Sequence, residues 1–91
     1  MNGARFEIRV LASAEKELRK LDRRAAEQIA ARLRWLADHA GEVRHHALTG
    51  TLSGLYRLRS GDYRIIYQLV VGERTILVHA VADRREIYRR R

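Results

Sequence analysis

The 91-residue chain contains no cysteine and no proline. Without thiols it can form no disulfide, Fe–S cluster, zinc ribbon or cysteine nucleophile. Without proline, no break of that kind interrupts a helix or a strand. No apolar run approaches a membrane span, and the first residues lack the hydrophobic segment of a secretory signal. The expected setting is therefore soluble and cytoplasmic, with no membrane partner. Lysine is nearly absent too, because seventeen of the nineteen basic residues are arginine. What is present is an apolar content of 46%, enough for a folded domain rather than a disordered tail. The length permits one domain, residues 1–91, with a compact core, since chains this short hide only about 60–65% of their surface.

The formal net charge is +8. Arginine presents a planar fork of donors that suits phosphate and stacks on bases, so the bias points toward nucleic acid. An arginine-for-lysine habit of a GC-rich genome would give the same composition, and the many alanines fit it. The distribution helps to choose: residues 1–50 carry +3 and residues 51–91 carry +5. The surplus sits in the second part.

Arg5–Val10 alternates, with Phe6, Ile8 and Val10 on one face, and predicts a half-buried strand. Ser13 is placed to cap a helix over Ala14–Leu21, and Asp22 a longer one to about Ala40, where Gly41 supplies the stop. Ile29, Leu33, Leu36 and Ala40 form the buried stripe of the second helix. Glu42–Gly54 reads as a loop. From there the period becomes two, predicting strands over Leu55–Arg59, Tyr63–Val71 and Thr75–Ala82, with turns at Ser60-Gly61-Asp62 and Gly72-Glu73. Asp83–Arg91 reads as a terminal helical turn or two, or as a basic tail. The expected fold class is α+β, in the order β-α-α-β-β-β-(α): a mostly antiparallel four-stranded sheet with a helical hairpin on one face.

That layout leaves the other sheet face open. If Tyr56 and Leu58 point to the helices, Arg57 and Arg59 point away, and Arg64 joins them across the turn. Three guanidiniums on one face favour a shared anionic ligand over neutralisation by Asp62, Glu73 and solvent. Other chemistries find little support. His39, His45, His46 and His79 lack metal-site spacing and read as structural side chains. Gly50–Gly54 has no P-loop lysine, Ser13, Ser53 and Ser60 have no base partner by spacing, and the carboxylates are too scattered for a two-metal nuclease. A mechanism without metal or other cofactor is the enzymatic option that survives.

Two stretches, LSGLYRLRSGDYRIIY over Leu52–Tyr67 and VADRREIYR over Val81–Arg89, resemble the RelE/ParE toxin superfamily, and the helical hairpin extends the likeness over nearly the whole chain. The resemblance implies a RelE-like fold and a toxin of a type II toxin–antitoxin pair. For the RelE branch it implies cleavage of mRNA in the ribosomal A site by attack of the 2′-hydroxyl on the adjacent phosphate. The partners it implies are a cognate acidic antitoxin, the ribosome-bound message and, only indirectly through the antitoxin complex, operator DNA. Residue by residue, it assigns catalysis to Arg64 of the Tyr-Arg motif, to Arg84 after the last strand and to Tyr88, an aromatic that can stack a base. It assigns RNA contacts to Arg57, Arg59, Arg85, Arg89, Arg90 and Arg91. Two features depart from the family: no lysine stands on the active-face strand, and Ala82-Asp83-Arg84 replaces a common Gly-His-Arg. The general base stays open between Asp83 and Tyr88. A ParE-like inhibitor of DNA gyrase shares the fold, and a passive RNA-binding module would account for the charge alone.

Two expectations follow. Arg64, on the open face, should be exposed, so that Arg64→Ala changes stability by less than about 1 kcal/mol. Five of the last eight residues are arginine, a run costly to bury. Deleting residues 89–91 should therefore leave the melting temperature nearly unchanged while weakening RNA or ribosome binding. Thermal unfolding and a binding titration check this, and a large loss of stability with binding intact would make the tail structural.

Overall fold

The computed structural model describes residues 5–83 and 85. In chain order the elements are β1 (Glu7–Val10), α1 (Ala12–Arg19), α2 (Arg23–His39), β2 (His46–Ala47), β3 (Tyr56–Ser60), β4 (Tyr63–Val70) and β5 (Thr75–Asp83), with 3-10 turns at Gly50–Leu52 and Val71–Glu73. The strands form one sheet in the order β1-β5-β4-β3-β2. The β1–β5 pair is parallel and the other pairs are antiparallel. No helix among the described residues is long and apolar enough to cross a membrane.

Helix α2 forms where its sequence pattern places it. Asp22 is extended, and its carboxylate accepts from the Ala25 amide at 2.8 Å, satisfying one donor that the first helical turn leaves open. Ala25, Ile29, Leu33, Leu36, Ala37 and Ala40 then recur at helical spacing and are buried, each large side chain contributing about 1.5–3 kcal/mol. Helix α1 departs from expectation. It starts at Ala12, Leu11 precedes it without a side-chain cap, and Ser13 lies inside it. The Leu11 amide is bonded to the Val78 carbonyl of β5 at 3.0 Å, so the sheet sets where this helix begins. The Ser13 hydroxyl donates to the His79 carbonyl at 3.3 Å.

The sheet has five strands, not four. The additional strand, β2, lies in the segment read as a loop and pairs with β3 through His46↔Arg57 and Ala47↔Tyr56. Two residues are too few to print a period on the sequence. The β3–β4 hairpin closes through Gly61-Asp62, with Ser60 opposite Tyr63. Gly61 has φ +60°, and Asp62 has no positive φ, the pattern of a type II′ turn, which requires glycine first. Between β4 and β5 the register shifts at Ile66/Tyr67, leaving His79 as the additional residue of a bulge. Beyond it, Tyr67 pairs with Val78, and both stay in the core.

The core lies between the helices and one sheet face: Ala14, Ile29, Leu33 and Leu36 meet Leu58, Ile65, Tyr67, Ile76, Val78 and Val81. His45 joins the end of α2 to this core. Its Nε2 lies 2.8 Å from the Ala40 carbonyl and its Nδ1 2.5 Å from the Tyr67 hydroxyl. A carbonyl only accepts, so Nε2 donates to it, and Nδ1 accepts from the Tyr67 hydroxyl. Tyr67 is 1% exposed. Burial first, and the neighbouring Tyr56 second, push its pKa from the usual 10.0 up to about 12.

The sign of the pH effect follows from the raised value. Between pH 10 and about 12 the folded chain keeps a proton that the unfolded chain releases, so this group's stabilisation is complete below pH 10 and is lost as pH rises through that window. The loss should be about 1.4 kcal/mol per pH unit. Tyr67→Phe strands the His45 Nδ1 acceptor and should cost about 1–3 kcal/mol near neutrality, yet decline less steeply in alkali. Urea unfolding of both proteins from pH about 9 to about 11.5 measures the two slopes. Equal slopes would assign the decline to other groups.

Candidate functional site

Alternation and register assemble two rows of side chains on the sheet face away from the helices. The first crosses the sheet as His46 on β2, Arg57 on β3, Ile66 on β4 and Ala80 on β5. The second consists of Arg59 on β3, Arg64 on β4 and Ala82 on β5. Leu58, Ile65 and Val81 lie between them in register and belong to the core on the other side. The outer face is not wholly polar. Ile66 and Ala82 are buried in a small second cluster, packed by Leu48, Leu55 and Ala80. The basic groups thus border an apolar strip.

The three arginines that the sequence places on this face are together there, in different states. Arg57 is half-buried, and its Nη2 lies 3.0 Å from His46 Nε2. Arg59 is exposed, and its carbonyl accepts from Arg32 Nε of α2 at 3.1 Å. Arg64 overturns the expectation of exposure: it is 8% exposed, and its Nη1 donates to the carbonyls of Gly61 and Tyr63 at 3.2 and 3.1 Å. Arg59 stands directly opposite it, and like charges so paired repel. The Arg64 guanidinium is instead turned to the carbonyls of its own hairpin turn. Its Nε and Nη2 bond nothing among the described residues, and no buried side-chain nitrogen or oxygen there lacks a partner. Those two donors therefore reach the surface. No ion pair joins Asp62 or Glu73 to Arg59 or Arg64.

Asp83 is not brought to this group. It pairs with Tyr63 in register, two residues beyond core-facing Val81. With Glu17, Lys20, Leu21 and Tyr63 it lines a pocket on the helix side. Its carboxylate accepts from the amide and Nε of exposed Arg85 at 2.9 and 3.3 Å. Arg84, Tyr88, Arg89, Arg90 and Arg91 lie outside the described residues, as does most of the terminal helix expected there. Among the described residues no group of three His, Asp or Glu side chains could hold a metal ion.

Two features escaped the sequence reading. His46 lies in the segment expected as a loop, and only the short β2 ladder puts it beside Arg57. Trp35 is 38% exposed on α2, with Arg32 4.5 Å from its ring centroid and His39 stacked on it at 4.5 Å. This stack borders an open groove of about 630 Å³ shared with Gln28, Arg59 and Gly61. Its signal was available: Trp35 is off the buried stripe, with Arg32 three residues before it and His39 four after.

Comparison with known proteins identifies the family. The family described as the ParE toxin of the type II toxin–antitoxin system parDE matches residues 8–88. A chain of the toxin–antitoxin complex RelBE2 from Mycobacterium tuberculosis has the same fold, with a TM-score of 0.81 over 91% of this chain and 95% of that one, at 23% identity. A mutant of the Escherichia coli toxin RelE in the free state gives 0.74 at 26% identity, covering 93% and 92%. A RelE mutant in complex with an antitoxin RelBc peptide gives 0.70 at 27% identity, covering 92% and 90%. No curated protein sequence gives a significant match.

The Arg64 contacts change the expected cost of removing it. Two charge-assisted bonds to turn carbonyls and a buried side-chain stem are lost, so Arg64→Ala should destabilise by about 1–3 kcal/mol. Exposed Arg59→Ala should stay within about 0.5 kcal/mol. Thermal unfolding of the two variants checks the contrast, at roughly 4–8 °C per kcal/mol for a domain of this size. Equal melting temperatures would mean that the turn contacts contribute nothing.

Proposed function

The chain belongs to the RelE/ParE superfamily of toxins of type II toxin–antitoxin systems, and from that premise we propose that it is an endoribonuclease that cleaves ribosome-bound mRNA. The observation that carries the reading is the pair of rows in which Arg57, Arg59 and Arg64 share one sheet face. Attack of a 2′-hydroxyl on the neighbouring phosphate forms the 2′-O–P bond, breaks the P–O5′ bond and leaves a 2′,3′-cyclic phosphate and a 5′-hydroxyl. Negative charge builds on the non-bridging oxygens as this happens. Guanidinium donors gathered on this face stabilise it. Arg59 offers a whole fork and Arg64 its two outer donors, held by the turn. In this reading Arg84 adds charge, Tyr88 stacks an unpaired base, and Arg85 with Arg89–Arg91 holds the RNA backbone.

The partner that holds the toxin inactive is, in this proposal, a cognate antitoxin. RelE in complex with an antitoxin peptide is among the similar structures, and a +8 chain suits an acidic one. Operator DNA would be reached through that complex. A second reading has a specific observation behind it: the matching family is described by ParE, so inhibition of DNA gyrase without RNA cleavage is the rival.

In vitro translation with primer extension should show breaks in the message that depend on the ribosome. Arg59→Ala should slow them by about 10²–10³ without unfolding the protein. Intact message with inhibited gyrase supercoiling would replace this reading by the rival.

A further inference from the structure

We propose that His46 is the base that takes the 2′-hydroxyl proton. The inference rests on the ribonuclease reading above. His46 is the direct cross-strand partner of Arg57, so both side chains leave the sheet on the arginine face. His46 Nε2 lies 3.0 Å from Arg57 Nη2. Arginine has donors and no acceptor, so this contact uses the Nε2 lone pair and places the ring proton on Nδ1. A neutral imidazole with its lone pair turned toward a phosphate-binding guanidinium is the form a base requires.

The geometry also fits the substrate. In RNA the attacking 2′-oxygen approaches the phosphorus to about 3–3.5 Å in a near-attack arrangement. A phosphate that draws the Arg57 guanidinium to itself frees Nε2, and brings its adjacent 2′-hydroxyl to the same place. The proton passes from the 2′-oxygen to Nε2, giving an imidazolium. The 2′-oxygen bonds to phosphorus as the P–O5′ bond breaks, the 5′-oxygen takes a proton from water, and the imidazolium gives its proton to the hydroxide left behind, restoring neutral His46.

The other histidines are committed. His45 uses both ring nitrogens on the core side. His39 is bonded and stacked along α2. His79 Nε2 is tied to the Gln68 amide oxygen at 3.1 Å. Strand β3 packs against β2, and from it Arg57 faces the imidazole; along its own chain Arg44 is exposed and His45 is turned to Tyr67. His46 is itself exposed at the sheet edge, so replacing it leaves the core intact.

The test is single-turnover cleavage of ribosome-bound message by wild type, His46→Gln and His46→Ala from pH about 5 to about 9, with melting temperatures and ribosome affinity measured alongside. Glutamine keeps an acceptor for Arg57 and cannot take the proton. The wild-type rate should rise with pH and then level off, the profile of a base that acts only when unprotonated. Both variants should be slower by about 10²–10⁴, lose the plateau, and keep their melting temperature and affinity. Normal cleavage by both variants would overturn the assignment. Normal cleavage by His46→Gln beside slow His46→Ala would also overturn it, leaving His46 to position Arg57. Wild-type protein that cleaves no message would remove the ribonuclease reading and this inference together, whereas active wild type with active variants removes this inference alone.

Discussion

The two-residue turn at Gly61-Asp62 holds the β3–β4 hairpin in one register, and most of the molecule depends on it. With Ser60 opposite Tyr63, Leu58 meets Ile65 and Arg59 meets Arg64. A slip of one residue would turn every side chain of one strand to the wrong face, sending arginines into the helices and Leu58 or Ile65 into water. Gly61 secures the turn because its φ of +60° is strained for any residue with a Cβ. The turn carbonyls also receive the Arg64 guanidinium. The same few atoms therefore set the pairing, orient a cation and separate core from candidate site.

The helices depend on this sheet more than on their own ends. Helix α1 has no side-chain cap and is only 8 residues long, too short to persist alone in water. Its Glu17 carboxylate accepts from the Val81 amide at 2.7 Å, and its Ser13 hydroxyl bonds the His79 carbonyl. Both contacts fall on β5 near the bulge, where a regular ladder is interrupted and backbone groups are open to side chains. At the other end of the helical layer, His45 ties the last turn of α2 to the buried Tyr67. Sheet and helices thus exchange hydrogen bonds at both ends of a core that is otherwise apolar.

Much of this was legible in the sequence, wherever a period ran long enough. The stripe Ile29, Leu33, Leu36, Ala40 and the cap at Asp22 located α2, and alternation over Leu55–Ala82 located three strands and put Arg57, Arg59 and Arg64 on one face. What was not legible depended on contacts between segments. Strand β2 is an answer to β3, not a pattern in residues 46 and 47. The start of α1 is set by a bond from Leu11 to β5, which outweighs the preference of Ser13 for a cap. The turn and the like charge opposite Arg64 were both legible, but not the bonds from its guanidinium to the Gly61 and Tyr63 carbonyls that bury it. The resemblance to RelE/ParE toxins supplied the family correctly, while the terminal residues it singled out are mostly outside the described residues.

The shortness of β2 has a further consequence. A sheet edge is a template on which another chain can add a strand, and proteins avoid this by keeping edges short or charged. At about 3.3 Å per residue, a two-residue strand offers only about 7 Å of ladder, and His46 with Arg57 behind it makes that rim polar and basic. The opposite edge, β1, is four residues long and carries Glu7 and Arg9 on its outward face. Two copies that approached through β2 would find too few backbone groups to pair and a shared positive charge to overcome. The candidate site can therefore sit open at the rim of the sheet without making the chain prone to polymerise with itself.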